Sequence, residues 1–176
     1  AATHPGRGEM DPSGNFVVST WDNASRHTAV VAASDGSSSE LLQGRNTVCS
    51  TNYSPSGDVI ALGEIGGISL FDAETHELIN YTALSERFCS MEFVTDSYIV
   101  AADYNSNKVF QFDVSAVRDG GDISIVKEWS LDGRAWGGEM AVSEGGTVIA
   151  TGRRDDASTF VQVLKMDGVE TPMVEV

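Results

Sequence analysis

Lysine is nearly missing from this chain: Lys108, Lys127 and Lys165 stand against eight arginines. Basic residues total 11 and acidic ones 26, which leaves a formal charge of −15. A surface of that sign repels phosphate backbones and disfavours nucleic acid as a partner. Long apolar runs are also lacking. None approaches the ~20 residues a membrane helix needs, so no membrane span is expected. A sustained i, i+3, i+4 apolar pattern is absent too, which argues against α-helix. The three histidines, His4, His27 and His76, are scattered, with no His-x-x-x-His or Cys-x-x-Cys spacing. A zinc-type site therefore has no support, and no cofactor is expected.

Cysteine is limited to Cys49 and Cys89, 40 residues apart and each followed by serine and a strand-like run. Equivalent positions on neighbouring strands are expected to lie beyond the ~5.5–6 Å Cα separation of a disulfide. The expectation is of buried thiols acting as small apolar residues. They carry no information on redox compartment. The acidic, lysine-poor balance resembles proteins of salt-loving archaea, and an ordinary acidic protein is the other reading. Ala1-Ala2 fits a processed start or the edge of a longer polypeptide. An extracellular or cell-surface location and the cytoplasm of a halophile both fit.

What the chain does have is repetition. Turn signals fall at Pro12–Asn15, Pro55–Asp58, Thr95–Ser97 and Glu144–Gly146, spaced by 43, 40 and 49 residues. After each turn comes a run rich in β-branched and aromatic residues: Phe16–Trp21, Val59–Glu64, Tyr98–Tyr104 and Thr147–Gly152. A further run follows each: Ala29–Ala33, Ile68–Asp72, Lys108–Val114 and Thr159–Lys165. Strands before the turns are expected near Gly8–Asp11, Val48–Ser54, Phe88–Val94 and Gly138–Ser143. Closing strands are expected near Glu40–Gln43, Leu78–Leu84, Ile123–Leu131 and Val169–Val176. Ser115–Arg118 suits one short helical turn.

Val59-Ile60-Ala61-Leu62 is apolar at consecutive positions, so that strand is covered on both sides. Four-stranded antiparallel units of ~40–45 residues, packed through both faces, are propeller blades. A β-sandwich would not repeat one internal grammar four times. The expected fold is therefore all-β, a β-propeller of four-stranded antiparallel blades. Four blades are visible, near residues 3–45, 46–84, 85–133 and 134–176 of one domain.

Val59 to Thr75 (VIALGEIGGISLFDAET) resembles a blade of the WD-repeat and quinoprotein-like propellers, whose middle strands read A-x-G-x-x-x-G-x-I-x-L-(W/F)-D. Lys108 to Val114 (KVFQFDV) resembles the second half of the same pattern. The expected Gly-His pair is missing, and no Trp-Asp ends the third strand. The resemblance implies six to eight blades, more than this chain supplies. The remainder would come from a longer polypeptide or from self-association; closure as a small ring is the third option. Open blade faces would expose apolar surface and call for a partner.

Other motifs carry little. Gly6-x-Gly8 and Gly120-Gly121 lack the strand–loop–helix setting of a phosphate loop. Asp119-Gly-Gly-Asp122 falls short of a calcium loop. Asn23, Asn52 and Asn80 head glycosylation sequons, but Asn52 falls on an expected inner strand. Catalytic acid pairs meet in space and leave no spacing to read.

Arginine placement is the one non-random constellation. Arg7, Arg45, Arg87 and Arg134 each precede a first strand, and Arg26, Arg153 and Arg154 lie between second and third strands. In a four-stranded meander both places lie at one end of the ring. Seven of the eight arginines are thus expected on one face, with Tyr104 and Trp136 beside them. Such a face suits a protein partner or an acidic or anionic ligand, since guanidinium pairs with carboxylate or phosphate through two parallel bonds. The alternative is local pairing with Asp22, Glu86, Asp132, Asp155 and Asp156. By analogy with the family, a non-catalytic binding or scaffold module is the leading reading. A propeller enzyme (quinoprotein-type dehydrogenase, lactonase-like hydrolase or glycosidase) and a subunit of a surface or capsid-like assembly are the others.

Overall fold

A computed structural model describes residues 4–10, 14, 16–21, 26–31, 37–40, 48–134, 140–143, 145–153 and 158–166. For most of the first sheet, and at Arg153, the description is of backbone alone. The first sheet is a meander of β1 (His4–Met10), β2 (Phe16–Trp21), β3 (Arg26–Val31) and β4 (Ser38–Glu40), antiparallel in chain order. Its third strand starts three residues earlier than expected. Arg26, His27 and Thr28 pair with Trp21, Thr20 and Ser19 through backbone bonds to which polar side chains give no clue.

The next six strands form one hydrogen-bonded array: β5 (Val48–Tyr53), β6 (Val59–Asp72), β7 (Leu78–Thr95), β8 (Tyr98–Asp103), β9 (Lys108–Asp113) and β10 (Ser124–Ser130). Two blade-like meanders share it. Fully extended, β6 would run about 45 Å, yet the Ala73 N–H reaches the Asp58 carbonyl at 3.0 Å. The strand therefore folds back on itself at Gly66, whose φ of 96 is the left-handed region glycine supplies without strain. Its first half pairs with β5 and its second half with β7.

Strand β7 is likewise shared between two meanders. Leu78–Ala83 closes one against β6, and Phe88–Thr95 opens the next against β8. The sequence predicts a break there. Instead the chain stays extended as it crosses, with Arg87 opposite Ile65. A 3-10 turn at Val117–Asp119 ends in left-handed Gly120. The last sheet comprises β11 (Met140–Val142), β12 (Thr147–Arg153) and β13 (Thr159–Lys165). The closing strand expected at Val169–Val176 lies outside the described residues.

Three apolar clusters show how the sheets stack. Ala61, Ile68 and Leu70 of one meander meet Phe88, Ile99, Ala101, Phe110 and Phe112 of the next. Val100, Ala102 and Val109 point the other way, into Met140, Val148, Ala150, Phe160 and Leu164 of the last sheet. Tyr53, Ile60, Leu62 and Phe71 gather on the remaining side of the second meander. Consecutive residues of β8 thus bury on opposite faces, as consecutive apolar positions require. Each such Leu, Phe or Ile contributes about 1.5–3 kcal/mol on burial.

Candidate functional site

The crossing in β7 builds the candidate site. Arg87 sits there, its carbonyl accepting from the Tyr104 N–H at 2.8 Å and its own N–H donating to Asp103 Oδ1 at 3.0 Å. These bonds fix the backbone and place Tyr104 under the guanidinium, with Arg87 Cζ 4.4 Å from the ring centroid. Arg87 Nε donates to Cys89 Sγ at 3.2 Å and to Cys49 Sγ at 3.4 Å. These sulfur acceptors, Cys49 first, press the guanidinium further toward its charged form.

Both cysteines are free thiols, half-buried where the sequence reading expected buried ones. Their sulfurs both accept from the one Arg87 Nε N–H. The neighbouring Cys49 sulfur, toward which the protonated Cys89 thiol donates, and then burial push the Cys89 thiol well above the ordinary range, with Arg87 acting the other way. The reason lies in register. Pairing between β5 and β6 skips Cys49, between Val48 and Ser50. Pairing between β7 and β8 skips Cys89, between Phe88 and Ser90. A bulge re-aims its side chain, and two bulges in adjacent inner strands aim both sulfurs at one guanidinium. The 40-residue spacing marked equivalent places in two repeats, and regular strands would not have directed both sulfurs to one donor.

Of the acids expected as local partners, Glu86 and Asp132 lie among the described residues, and Asp22, Asp155 and Asp156 lie outside them. Among the described residues no carboxylate lies within ion-pair distance of the Arg87 guanidinium, and its two Nη groups bond to none of them. Ion pairs fall elsewhere: Lys108 with Glu128 at 2.8 Å, and Arg118 Nη2 with Asp58 Oδ2 at 3.9 Å. Arg134 is exposed, and its carbonyl packs where a Gly152 Cβ would fall, 2.4 Å away. By backbone placement Arg7 lies at a β1 bulge, Arg26 opens β3 and Arg153 closes β12. Arg45, Trp136 and Arg154 lie outside the described residues.

The opposite end carries Asp58, Asp72 and Asp96. Asp72 Oδ1 accepts from the N–H groups of Thr75 and Glu74 and from the Thr75 hydroxyl. Those bonds, Thr75 N–H foremost, hold its carboxyl below the usual range. Asp96 Oδ1 accepts from the Ser56 N–H, tying two meanders together. A cleft of about 260 Å3 opens between them, with Leu70, Ile79 and Phe93 in its lining and Asp58 and Arg118 among its polar groups. Arg118 is tethered there by the Asp58 carbonyl at 2.8 Å, which accounts for the one arginine expected off the basic face.

Buried polar contacts escaped the sequence reading as well. Asn52 donates to Glu92 Oε2 at 2.8 Å and accepts from the Phe93 N–H at 2.7 Å, joining adjacent inner strands. That burial removes it as a glycan acceptor. The Ser69 hydroxyl donates to the buried Glu64 carboxylate inside the β6 hairpin. Among the described residues no group of three or more His, Cys, Asp or Glu gathers in metal-binding fashion.

Neither a family model nor a curated protein matches the sequence. Solved structures do match. A chain in the crystal structure of the Mitotic Checkpoint Complex aligns with TM-score 0.71 at 16% identity, covering 91% of this chain and 47% of that one. A chain of Kuenenia stuttgartiensis Hydrazine Synthase aligns with TM-score 0.75 at 14% identity, covering 97% and 48% respectively. The chain spans about half the length of the structures it matches. Likeness at such identity shows the fold and leaves activity to the site. The chain is an all-β protein with a β-propeller fold, structurally similar to WD40- and propeller-containing proteins.

Proposed function

We propose that this chain is a non-catalytic β-propeller binding module that recognises a protein partner or acidic ligand through the Arg87 end. One observation carries the reading: a half-buried guanidinium stacked on Tyr104, with its Nη edge facing no carboxylate of the described residues. A guanidinium locked by its neighbours loses little freedom when it binds, and its parallel N–H donors suit a carboxylate or phosphate. Exposed Arg134 adds charge to the same face. Arg7, Arg26, Arg45, Arg153, Arg154 and Trp136 join it by their places in the repeat.

The test is fluorescence anisotropy with a labelled glutamate-rich peptide at physiological salt, on wild type and Arg87→Ala. A charge-assisted pair contributes about 1.5–3 kcal/mol, so the variant is expected to bind at least ~10-fold more weakly. Equal affinity, or no binding by the wild type, would overturn the reading.

A second reading, as a subunit of a larger ring or assembly, is favoured by the last sheet. Ile149, Val161 and Val163 stand on the face turned away from the apolar cluster and are 43%, 70% and 62% exposed. In a complete propeller the next blade covers that face.

A further inference from the structure

Cys49 and Cys89 come together at one guanidinium N–H. One N–H serves both sulfurs, at 3.4 and 3.2 Å, which places them on the same side of a single donor. The strands that carry them touch independently, since the Ser50 hydroxyl donates to the Phe88 carbonyl at 2.9 Å. Closing a disulfide needs sulfurs ~2.05 Å apart and usually some backbone adjustment. Here the adjusting residues are the two that the strand pairing skips, so no ladder bond has to break. Both residues are only half-buried, so a small oxidant can reach them.

We propose that Cys49 and Cys89 are a modification site, oxidised by a small-molecule disulfide to an intramolecular bridge that staples two adjacent innermost strands. One cysteine, as thiolate, attacks a sulfur of the oxidant RS–SR. A mixed disulfide forms and one RS⁻ leaves. The second cysteine then attacks the protein-side sulfur, the Cys49–Cys89 bond forms and the second RS⁻ leaves. The two thiol protons pass to the two departing thiolates, giving two RSH. The protein loses two electrons, and the oxidant gains them. Exchange needs one thiolate at a time, and the Arg87 cation beside the pair stabilises a single negative charge while opposing two is left to repulsion between the sulfurs.

The inference goes beyond the binding reading, and its test does not depend on any ligand. The folded chain is incubated with oxidised glutathione, unfolded in acid, alkylated and weighed. The expected result is a mass lower by about 2 Da with both alkylation sites lost, and one peptide linking Cys49 to Cys89. Cys49→Ser should instead retain one glutathione on Cys89. Two alkylatable thiols in the treated wild type, glutathione retained on both cysteines, or linkage only between chains would each overturn the proposal. The same oxidation in denaturant supplies the comparison. Closure is expected at a lower proportion of oxidised glutathione when the chain is folded, and no difference between the two would equally overturn it.

Discussion

Gly63 has no side chain because there is no room for one. A Cβ there would lie 2.2 Å from Ser50 Oγ and 2.4 Å from the Phe88 carbonyl oxygen. That vacancy lets two inner strands approach next to the cysteines. Gly63→Ala must push backbone as well as a hydroxyl, so it is expected to cost about 1–3 kcal/mol. Urea unfolding measures this, and an unchanged midpoint would contradict the close approach. Asp72 makes a pH prediction at the same scale. Its folded pKa is depressed, so its contribution is present above the unfolded value and fades as pH falls through the folded one. Wild type should therefore exceed Asp72→Ala in stability at neutral pH and converge with it in strong acid, once the pH has fallen through the depressed folded pKa. A gap that persists unchanged into strong acid would show that the turn bonds are not the cause.

Among the elements, runs of β-branched and aromatic residues were the most legible. Phe16–Trp21 and Thr159–Lys165 run as the sequence predicts, and Val59-Ile60-Ala61-Leu62 does bury toward two different clusters. Turn glycines marked the β6 hairpin because a positive φ restricts the choice of residue. What escaped was everything that depends on pairing. The continuous β7, the early start of β3 and the bulges at Cys49 and Cys89 are local features of backbone pairing that the side chains at those places do not mark. The candidate site divides the same way. Arg87 and Tyr104 were legible as one end of a meander, and the structure brings them into contact. Their thiol neighbours were legible only as equivalent positions in a repeat.

At the scale of the molecule, the proposed assembly starts from sheets that are unevenly covered. Apolar clusters fill both sides of the third meander, whereas β12 and β13 keep an exposed apolar face. The chain also covers only 47% and 48% of the two matched structures. High salt strengthens apolar association and screens a charge of −15, so it should favour covering that face. The most direct test is sedimentation equilibrium of the chain in molar salt, beside the double variant Val161→Lys, Val163→Lys. The account predicts a wild-type mass at or above twice 18.7 kDa and a smaller assembly for the folded variant. A wild type that stays monomeric across the concentration range would contradict it.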